Sequence, residues 1–273
     1  LNRAEVPAEL AELLEERLDA PGTWEVLGVL GRDRRTSYER WISIGARRYR
    51  VEAWGELLRT KTVPMRLRGL ALDGWAAVQD DAVPRDHAGG GPQASPWTTG
   101  MKKLLYIRVD FSDAPGDPIN LTQAQADVAA LNTYYKASSY NKTSIAGTVT
   151  NTLRMPLTKA SYGNNNNTSQ LLADARALAY AAHPGGWDLD VVFFSSISAW
   201  NWSGLGYVGM KGTWLNGSAG LGTVAHEVGH NYGLYHANFW QAPGETIIGA
   251  GGSLEYGNPF DVRTYGLPVA LPL

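Results

Sequence analysis

Residues 222–236 read GTVAHEVGHNYGLYH and contain the pattern H-E-x-x-H-x-x-G-x-x-H. The fixed positions of this pattern are His226, Glu227, His230, Gly233 and His236. With the composition of this chain, five fixed residues at this spacing occur by chance on the order of 10⁻⁵ times in a chain of this length. The match is therefore highly specific, and three of the five histidines of the chain fall inside it.

The spacing inside the pattern has a physical basis. In an α-helix, residues four apart lie on one face, so His226 and His230 can present their ring nitrogens to the same ion. Glu227 projects beside them, where it is better suited to holding a water molecule than to ligating. Gly233 is expected to adopt the left-handed conformation that ends the helix and brings His236 back. We predict that the three histidines bind one metal ion.

The ligand set favours Zn2+. Three neutral nitrogen ligands leave one tetrahedral position open, which is typical of catalytic rather than structural zinc. Copper, iron and nickel also bind histidine, but an open His-only site with an adjacent glutamate favours zinc. Zinc acidifies its bound water, whose proton Glu227 would accept and pass to a departing amine. The pattern thus predicts peptide hydrolysis, the alternative being an ordinary helix with core or surface histidines.

These residues resemble the metzincin metallopeptidases, and specifically the gametolysin-like branch (peptidase family M11). The resemblance rests on HEVGHNYGLYHANFW from His226 and LEYGNPFDV from Leu254, and it covers residues 101–262. It implies a metzincin-like catalytic domain, α+β or α/β, with a twisted mixed sheet and an active-site helix. It also implies that His226, His230 and His236 are zinc ligands and that Glu227 is the catalytic acid/base. A secreted endopeptidase that cleaves extracellular proteins is the implied function.

The chain departs from this family after Val262. The resemblance places the methionine of a turn beneath the metal there, but the chain has Arg263. The tail RTYGLPVALPL does not continue the family pattern, so we expect a truncated or altered C-terminus, and we treat Tyr265 as a coincidental match to a metal-side tyrosine. The alternative function is therefore a catalytically weak or latent zinc-containing binding module.

Charge density divides the chain into two parts. Residues 1–85 hold 14 of the 24 Lys and Arg and 14 of the 26 Asp and Glu, and residues 86–100 are rich in Gly, Pro, Ser and Thr. We predict an N-terminal propeptide-like domain over 1–85, a flexible, cleavable linker over 86–100 and the peptidase domain over 101–273. The N-terminal domain would be that of a zymogen, although carbohydrate binding is an alternative for it.

Hydrophobic patterns predict the helices and strands of both domains. In the N-terminal domain a helix is predicted over Pro7–Ala20, where leucines recur at three to four residues. Five short strands predict a small barrel, and they are Thr23–Leu30, Tyr38–Ile44, Arg48–Trp54, Val63–Ala71 and Trp75–Val78. The second domain is predicted to alternate strands at Lys103–Asp110, Ser144–Met155 and Trp187–Ser195 with helices at Thr122–Lys136 and Ser169–His183. A Thr122-x-x-Gln125 capping box would open the first of these helices.

Composition excludes several classes of function. The net charge of −2 gives no electrostatic support for binding nucleic acid or an anionic membrane, and no apolar run approaches the roughly 20 residues that span a bilayer. The absence of cysteine excludes disulfides, thiolate ligands and a cysteine-switch latency. The chain opens at Leu1 without a leader, so we expect a processed product or a fragment. We expect a monomer whose partner is a protein or peptide substrate.

Weaker signals have simpler explanations. The sequence GLGYVG at 204–209 fits G-x-G-x-x-G, but no helix is predicted after it, so a glycine-rich edge strand that pairs with an extended peptide is the better interpretation. Trp200, Trp202 and Trp214 are interpreted as packing residues rather than a substrate pocket, and Asp188 and Asp190 as solvated strand ends rather than a cation site. His87 lies in the linker as an exposed residue or, alternatively, an inhibitory metal ligand.

Overall fold

The computed structural model describes residues 16–32, 36–51, 61–72, 75–78, 96–164, 166–236, 239–241 and 251–254. Within these residues the protein is a mixed α+β structure with few helices and a large mixed sheet. The chain divides into two compact units, of which the first comprises residues 1–27 and 38–93 and the second residues 28–37 and 94–273. Residues 28–37 thus group with the second unit, whereas the sequence analysis places them in the N-terminal domain. The predicted boundaries at 85 and 100 stay predictions.

Five strands among the described residues belong wholly or mainly to the first unit, and the first two of them extend into residues 28–37, which group with the second unit. They are β1 (Glu16–Gly31), β2 (Thr36–Ile44), β3 (Arg47–Val51), β4 (Lys61–Leu72) and β5 (Trp75–Val78). Their order is β2-β3-β5-β4-β1, with an additional pairing between β2 and β1, and β3 and β5 are parallel. Trp24, Ile42 and Leu67 are fully buried. All five predicted strands are therefore present, while the barrel itself stays a prediction.

The helix predicted over Pro7–Ala20 is wrong where the structure describes it. Residues 16–20 belong to β1 and pair antiparallel with β4, from Glu16 opposite Ala71 to Ala20 opposite Leu67. The three-to-four-residue spacing ends at Leu18, which is buried in this strand pair. Pairing with β4 therefore outweighs a weak helical period in this segment. The rest of the predicted helix lies outside the described residues.

Within the described residues, the second unit contains five strands of the large sheet and four α-helices. The strands are β6 (Gly100–Asp110), β7 (Thr143–Arg154), β8 (Leu189–Phe194), β9 (Trp202–Tyr207) and β10 (Thr213–Asn216), in the order β9-β10-β8-β6-β7. Four are parallel and β9 is antiparallel to β10. The helices are α1 (Leu121–Ser138), α2 (Lys159–Asn164), α3 (Thr168–Ala182) and α4 (Leu221–Asn231), and a small antiparallel pair follows, β11 (Phe239–Gln241) and β12 (Gly252–Leu254).

Apolar side chains on the central strands explain this layered arrangement. All six residues of β8 are buried, as expected for a strand that is covered on both faces. Tyr106 and Val191 from the sheet share a core cluster with Leu131 of α1 and Val228 of α4. The helix α4, which carries the histidine pattern, is thus packed into the core. None of the described helices is both long and apolar enough to cross a membrane.

Two helix starts differ from the predictions. Asn120, not Thr122, caps α1, because its Oδ1 accepts a hydrogen bond of 2.7 Å from the backbone amide of Gln123. The short helix α2 is not predicted at all. Its first amides, at Lys159 and Ala160, donate to the carboxylate of Asp113, which lies 46 residues earlier in the chain. A local signal is also present, because the hydroxyl of Thr158 accepts a hydrogen bond of 3.1 Å from the amide of Ser161, as an N-cap residue does.

One buried carboxylate is only partly satisfied. Asp127 on α1 is buried, and its Oδ1 accepts a hydrogen bond of 2.8 Å from Gln123. Its Oδ2 has no hydrogen-bond partner among the residues that the structure describes. Burial therefore raises the pKa of Asp127, although the hydrogen bond from Gln123 partly opposes this. The ionised carboxylate is expected to destabilise the fold.

Replacing Asp127 by Asn should stabilise the chain more at pH 7 than at pH 4.5. Because the folded-state pKa is raised, the penalty of Asp127 is absent below the unfolded pKa of about 4 and grows as the pH rises through the folded value. Urea unfolding of D127N and the parent at both pH values measures the difference. The variant D113A serves as a control with the opposite pH dependence. Backbone amide donors lower the pKa of Asp113, so this carboxylate stabilises the folded chain at pH 7 and less as the pH falls. A D127N effect that is equal at both pH values would contradict this assignment.

Candidate metal centre

The helix α4 ends in a glycine turn, as the sequence predicts. Gly233 has φ +87°, and its amide donates to the carbonyl of His230 at 2.7 Å. The amide of Leu234 donates to the carbonyl of Gly229 at 3.1 Å. These two bonds are those of a Schellman motif, in which the left-handed residue reverses the chain direction. The turn returns the chain to the face of α4 that carries the first two histidines.

The three predicted histidines come together. The candidate ligand atoms of His226, His230 and His236 all lie within 4.8 Å of one another. The ring centroids are 5.0 Å apart for His226 and His230, 5.1 Å for His226 and His236, and 4.9 Å for His230 and His236. All three side chains are buried. Such a cluster can hold one metal ion.

A hydrogen bond assigns the tautomer of His230. Its Nδ1 lies 3.0 Å from the carbonyl oxygen of Leu234, and a carbonyl can only accept, so Nδ1 carries the proton. In a neutral ring this leaves the lone pair on Nε2, which is the atom available to a metal. A backbone carbonyl that orients a ligand histidine in this way is typical of protein metal sites. The donor set therefore fits a divalent ion that prefers nitrogen.

Glu227 is fully buried next to a glycine of β9. A Cβ at Gly204 would lie 2.6 Å from the Oε1 and Cγ atoms of Glu227, so any side chain there would displace the glutamate. A Cβ at Gly206 would lie 2.5 Å from the carbonyl oxygen of Glu227 and 3.1 Å from the Cβ of His230. The two glycines therefore let α4 approach β9 closely. This packing role explains the G-x-G pattern better than a nucleotide site does, and residues 213–216 form β10 rather than a helix.

Asn231 fixes the end of α4, and the sequence analysis missed it. Its Nδ2 donates to the carbonyls of Tyr207 and Gly212 at 3.0 and 3.1 Å, and its Oδ1 accepts from the hydroxyl of Thr213 at 2.8 Å. The side chain is fully buried. Because Asn231 directly follows His230, these bonds hold the second ligand against β9 and β10. Its sequence signal is its position, directly after His230 at the end of the helix.

Aromatic residues support α4 from the other side. The hydroxyl of Tyr135 donates to the carbonyl of Ala225 at 2.9 Å, and its ring stacks on Tyr232 with centroids 5.0 Å apart. The hydroxyl of Tyr232 lies 3.0 Å from the Thr143 hydroxyl, a distance at which either can donate. Burial raises the pKa of Tyr232, while the hydrogen bond with Thr143 opposes this. Tyr232 thus stays neutral near the histidine cluster.

The remaining candidate residues have structural roles or lie outside the described residues. Trp200, Trp202 and Trp214 are buried, and the first two stack with centroids 5.0 Å apart. Asp190 is not a solvated strand end, because it is buried and pairs with Arg176 at 2.9 Å. Asp188 accepts from the backbone amide of Lys103 at 2.8 Å. The residues outside the described part of the chain are His87, Arg263 and Tyr265.

Comparisons with family models, with curated proteins and with solved structures gave no match for this chain. The geometry alone therefore defines the site, which is a buried cluster of three histidines able to hold a metal ion.

Zinc titration tests this cluster directly. We expect one zinc ion per chain and a loss of affinity of at least about a hundredfold in H226A, because one of three nitrogen ligands is removed. His183→Ala is the matched control, since His183 caps α3 and is not part of the cluster. Equal zinc affinity of the parent and H226A, measured by competition with a chelating dye, would contradict the assignment.

Substituting Asn231 by Leu should affect both stability and the metal. The change leaves the Thr213 hydroxyl and two buried carbonyls without their partner, which costs about 3 kcal/mol. We expect a lower free energy of unfolding in urea and weaker zinc binding. Asn132→Leu is the control, because it removes the 2.9 Å bond to the Ile145 amide in another part of the unit. A variant N231L that loses stability but keeps its zinc affinity would show that Asn231 does not position His230.

Proposed function

We propose that this protein is a zinc-dependent endopeptidase. The observation that carries the proposal is the convergence of three buried imidazoles, whose candidate ligand atoms lie within 4.8 Å of one another, beside a buried glutamate that directly follows the first histidine on α4. Zinc is favoured because all three donors are nitrogens and leave a coordination position for a reacting group. When bound, zinc would supply a Lewis acid that polarises a substrate carbonyl and acidifies water.

Glu227 is the proposed general base and acid. Its carboxylate accepts a proton from the attacking water and then donates it to the nitrogen of the departing amine. Any side chain at Gly204 or Gly206 would displace this carboxylate or the backbone of Glu227, so the two glycines allow Glu227 to occupy its position against β9. The burial of Glu227 also excludes bulk solvent, which strengthens its interactions with charge that develops during the reaction.

The sheet edge beside the helix supports a peptide as the substrate. One edge of β9 pairs antiparallel with β10, from Gly204 opposite Leu215 to Gly206 opposite Thr213. In the sheet order β1 lies next to the other edge of β9, so a peptide would have to take the place of β1 there. An extended peptide binds such an edge by adding one strand to the sheet. This mode uses main-chain hydrogen bonds, so it suits an enzyme that acts on protein chains.

We further propose that the protein belongs to a known family of secreted metallopeptidases. A mixed sheet with a histidine-bearing helix is compatible with a metzincin of the gametolysin-like (M11) group. The pairing of β1 with both β4 and β2 supports a small N-terminal barrel as the propeptide-like domain. The protein would act as a secreted monomer on extracellular proteins, without nucleic-acid or membrane partners. The second candidate, a latent zinc-containing binding module, is favoured by one observation, the pairing of β9 with β1.

The variant E227Q separates the two candidates. We expect it to keep zinc and to lose hydrolysis of a quenched fluorescent peptide by about 10²- to 10⁴-fold, because the amide cannot accept the proton. Glu39→Gln in the first unit serves as the control and should retain the parent rate. Hydrolysis that is equally fast in E227Q, or that survives complete removal of zinc by a chelator, would refute the peptidase proposal. A zinc-loaded parent without any hydrolysis would favour the latent module.

A further inference from the structure

A buried ion pair joins α3 to the sheet. Asp190 of β8 is fully buried, and each of its carboxylate oxygens accepts a hydrogen bond of 2.9 Å from the guanidinium of Arg176 on α3. The hydroxyl of Tyr180 also donates to Oδ2 of Asp190, at 2.6 Å. Two parallel bonds from one planar guanidinium fix its orientation as well as its position. The third donor direction of Arg176 is therefore fixed too.

That third direction leads to the turn between β9 and β10. Nη2 of Arg176 donates to the backbone carbonyl of Lys211 at 3.0 Å. We call residues 208–212 the β9–β10 turn, which is closed by a bond of 3.1 Å from the amide of Tyr207 to the carbonyl of Gly212. A Cβ at Gly212, whose φ is +137°, would lie 3.2 Å from Nη2 of Arg176. The turn thus lies close against the guanidinium.

The same turn bonds to the end of the helix that carries the histidines. The amide of Gly209 donates to the carbonyl of His230 at 2.8 Å. The carbonyl of Gly212 accepts from Nδ2 of Asn231 at 3.1 Å. These two contacts flank Lys211, which accepts the bond from Arg176. A five-residue turn is therefore held by α3 and in turn holds a proposed metal ligand.

The ion pair is suited to orientation more than to stability. Burial disfavours the charge of Arg176, but the carboxylate of Asp190 outweighs this and raises the pKa of Arg176, so the guanidinium stays charged. A buried ion pair adds little net stability compared with apolar side chains of similar size. What apolar side chains cannot supply here is a donor to the Lys211 carbonyl.

We propose that Arg176 is a positioning residue for the metal site, which acts by holding the β9–β10 turn and, through it, His230. This inference rests on the proposed function, because it takes His230 as a ligand of the catalytic zinc. Groups that orient a metal ligand typically change metal affinity by about 10- to 100-fold when they are removed. Arg176 belongs to this group, although it lies on a helix that carries none of the three histidines.

The double variant R176M/D190N in the full-length chain tests this proposal. It removes both charges together, so no buried charge is left unpaired, and the amide oxygen introduced at position 190 can still accept from Tyr180. The donor to the Lys211 carbonyl is lost. We expect zinc to dissociate about tenfold faster into an excess of chelator. In the metal-free chain we also expect faster hydrogen exchange at the Gly209 amide, which bonds to His230.

The matched control is R154M/D110N. Arg154 donates to both carboxylate oxygens of Asp110 at 2.7 Å, and Asp110 is buried, so this pair has the same fork geometry. It joins β6 to β7 and, in the described part of the chain, makes no bond to the β9–β10 turn. We expect the control to release zinc at the parent rate. Equal acceleration in the two double variants would show a general loosening of the sheet and would overturn the proposal.

Two further measurements keep the proposal testable if the double variant folds poorly. The variant R176K keeps a charge opposite Asp190 but lacks the planar fork, so we expect zinc to dissociate about threefold faster than from the parent. Replacing zinc by cobalt gives visible absorption bands that report ligand geometry. These bands should shift in the Arg176 variants and not in the control. Parent-like dissociation and parent-like bands in both Arg176 variants would overturn the positioning role.

Zinc release separates this inference from the peptidase proposal, because it needs no hydrolysis. If R176M/D190N loses zinc faster but no form of the chain hydrolyses peptides, the peptidase proposal fails and the positioning role stands. If the parent is active, we expect kcat to fall about tenfold with KM within about twofold, since Arg176 acts through a ligand and not on the substrate. A parent that binds no zinc would refute the metal site itself. Unchanged exchange at Gly209 would then still overturn the link from Arg176 to α4.

Discussion

The structure of the candidate site depends on a single reversal of the chain. Two histidines four residues apart on a helix define one side of a metal site, and the third must approach from outside that helix. At Gly233 the backbone adopts φ +87°, and two hydrogen bonds from the turn satisfy carbonyls at the end of α4. One of the turn residues, Leu234, also orients His230 through its carbonyl oxygen. Helix termination, ligand orientation and the return of His236 therefore share one structural cause.

Close packing then fixes the helix that carries this site. On one side, the glycines of β9 allow the backbone of α4 to approach the sheet, and Asn231 bonds to the carbonyls at the end of that strand and beyond it. On the other side, stacked tyrosines and a buried hydroxyl pair support the helix. Polar groups around α4 thus have specific partners, which is the usual condition for burying them. A rigid, desolvated helix suits a metal centre whose ligands must hold a fixed geometry.

The sequence predicts those parts of the structure that depend on local spacing. The pattern around His226 has a fixed helical period and a glycine turn, so its convergence is predictable without coordinates. The five strands of the first unit, the strands β6, β7 and β8 and the two longer helices follow from hydrophobic patterns for the same reason, whereas β10, β11 and β12 are not predicted. Contacts between distant segments are not predictable in this way. The first amides of α2 donate to Asp113, 46 residues earlier in the chain, and residues 16–20 form a strand with β4 instead of the predicted helix. The bonds of Asn231 and the contact of Gly28 with His230 likewise depend on tertiary packing.

X-ray absorption spectroscopy of the zinc-loaded, full-length chain tests the central claim most directly. The account predicts three imidazole nitrogens at about 2.0–2.1 Å from the zinc, with a further light ligand completing a four-coordinate site. It also predicts that the imidazole scattering falls by one ligand in H236A, because His236 reaches the ion only through the turn at Gly233. Zinc surrounded by oxygen ligands alone, or an unchanged spectrum in H236A, would contradict the convergence of the three histidines on one ion.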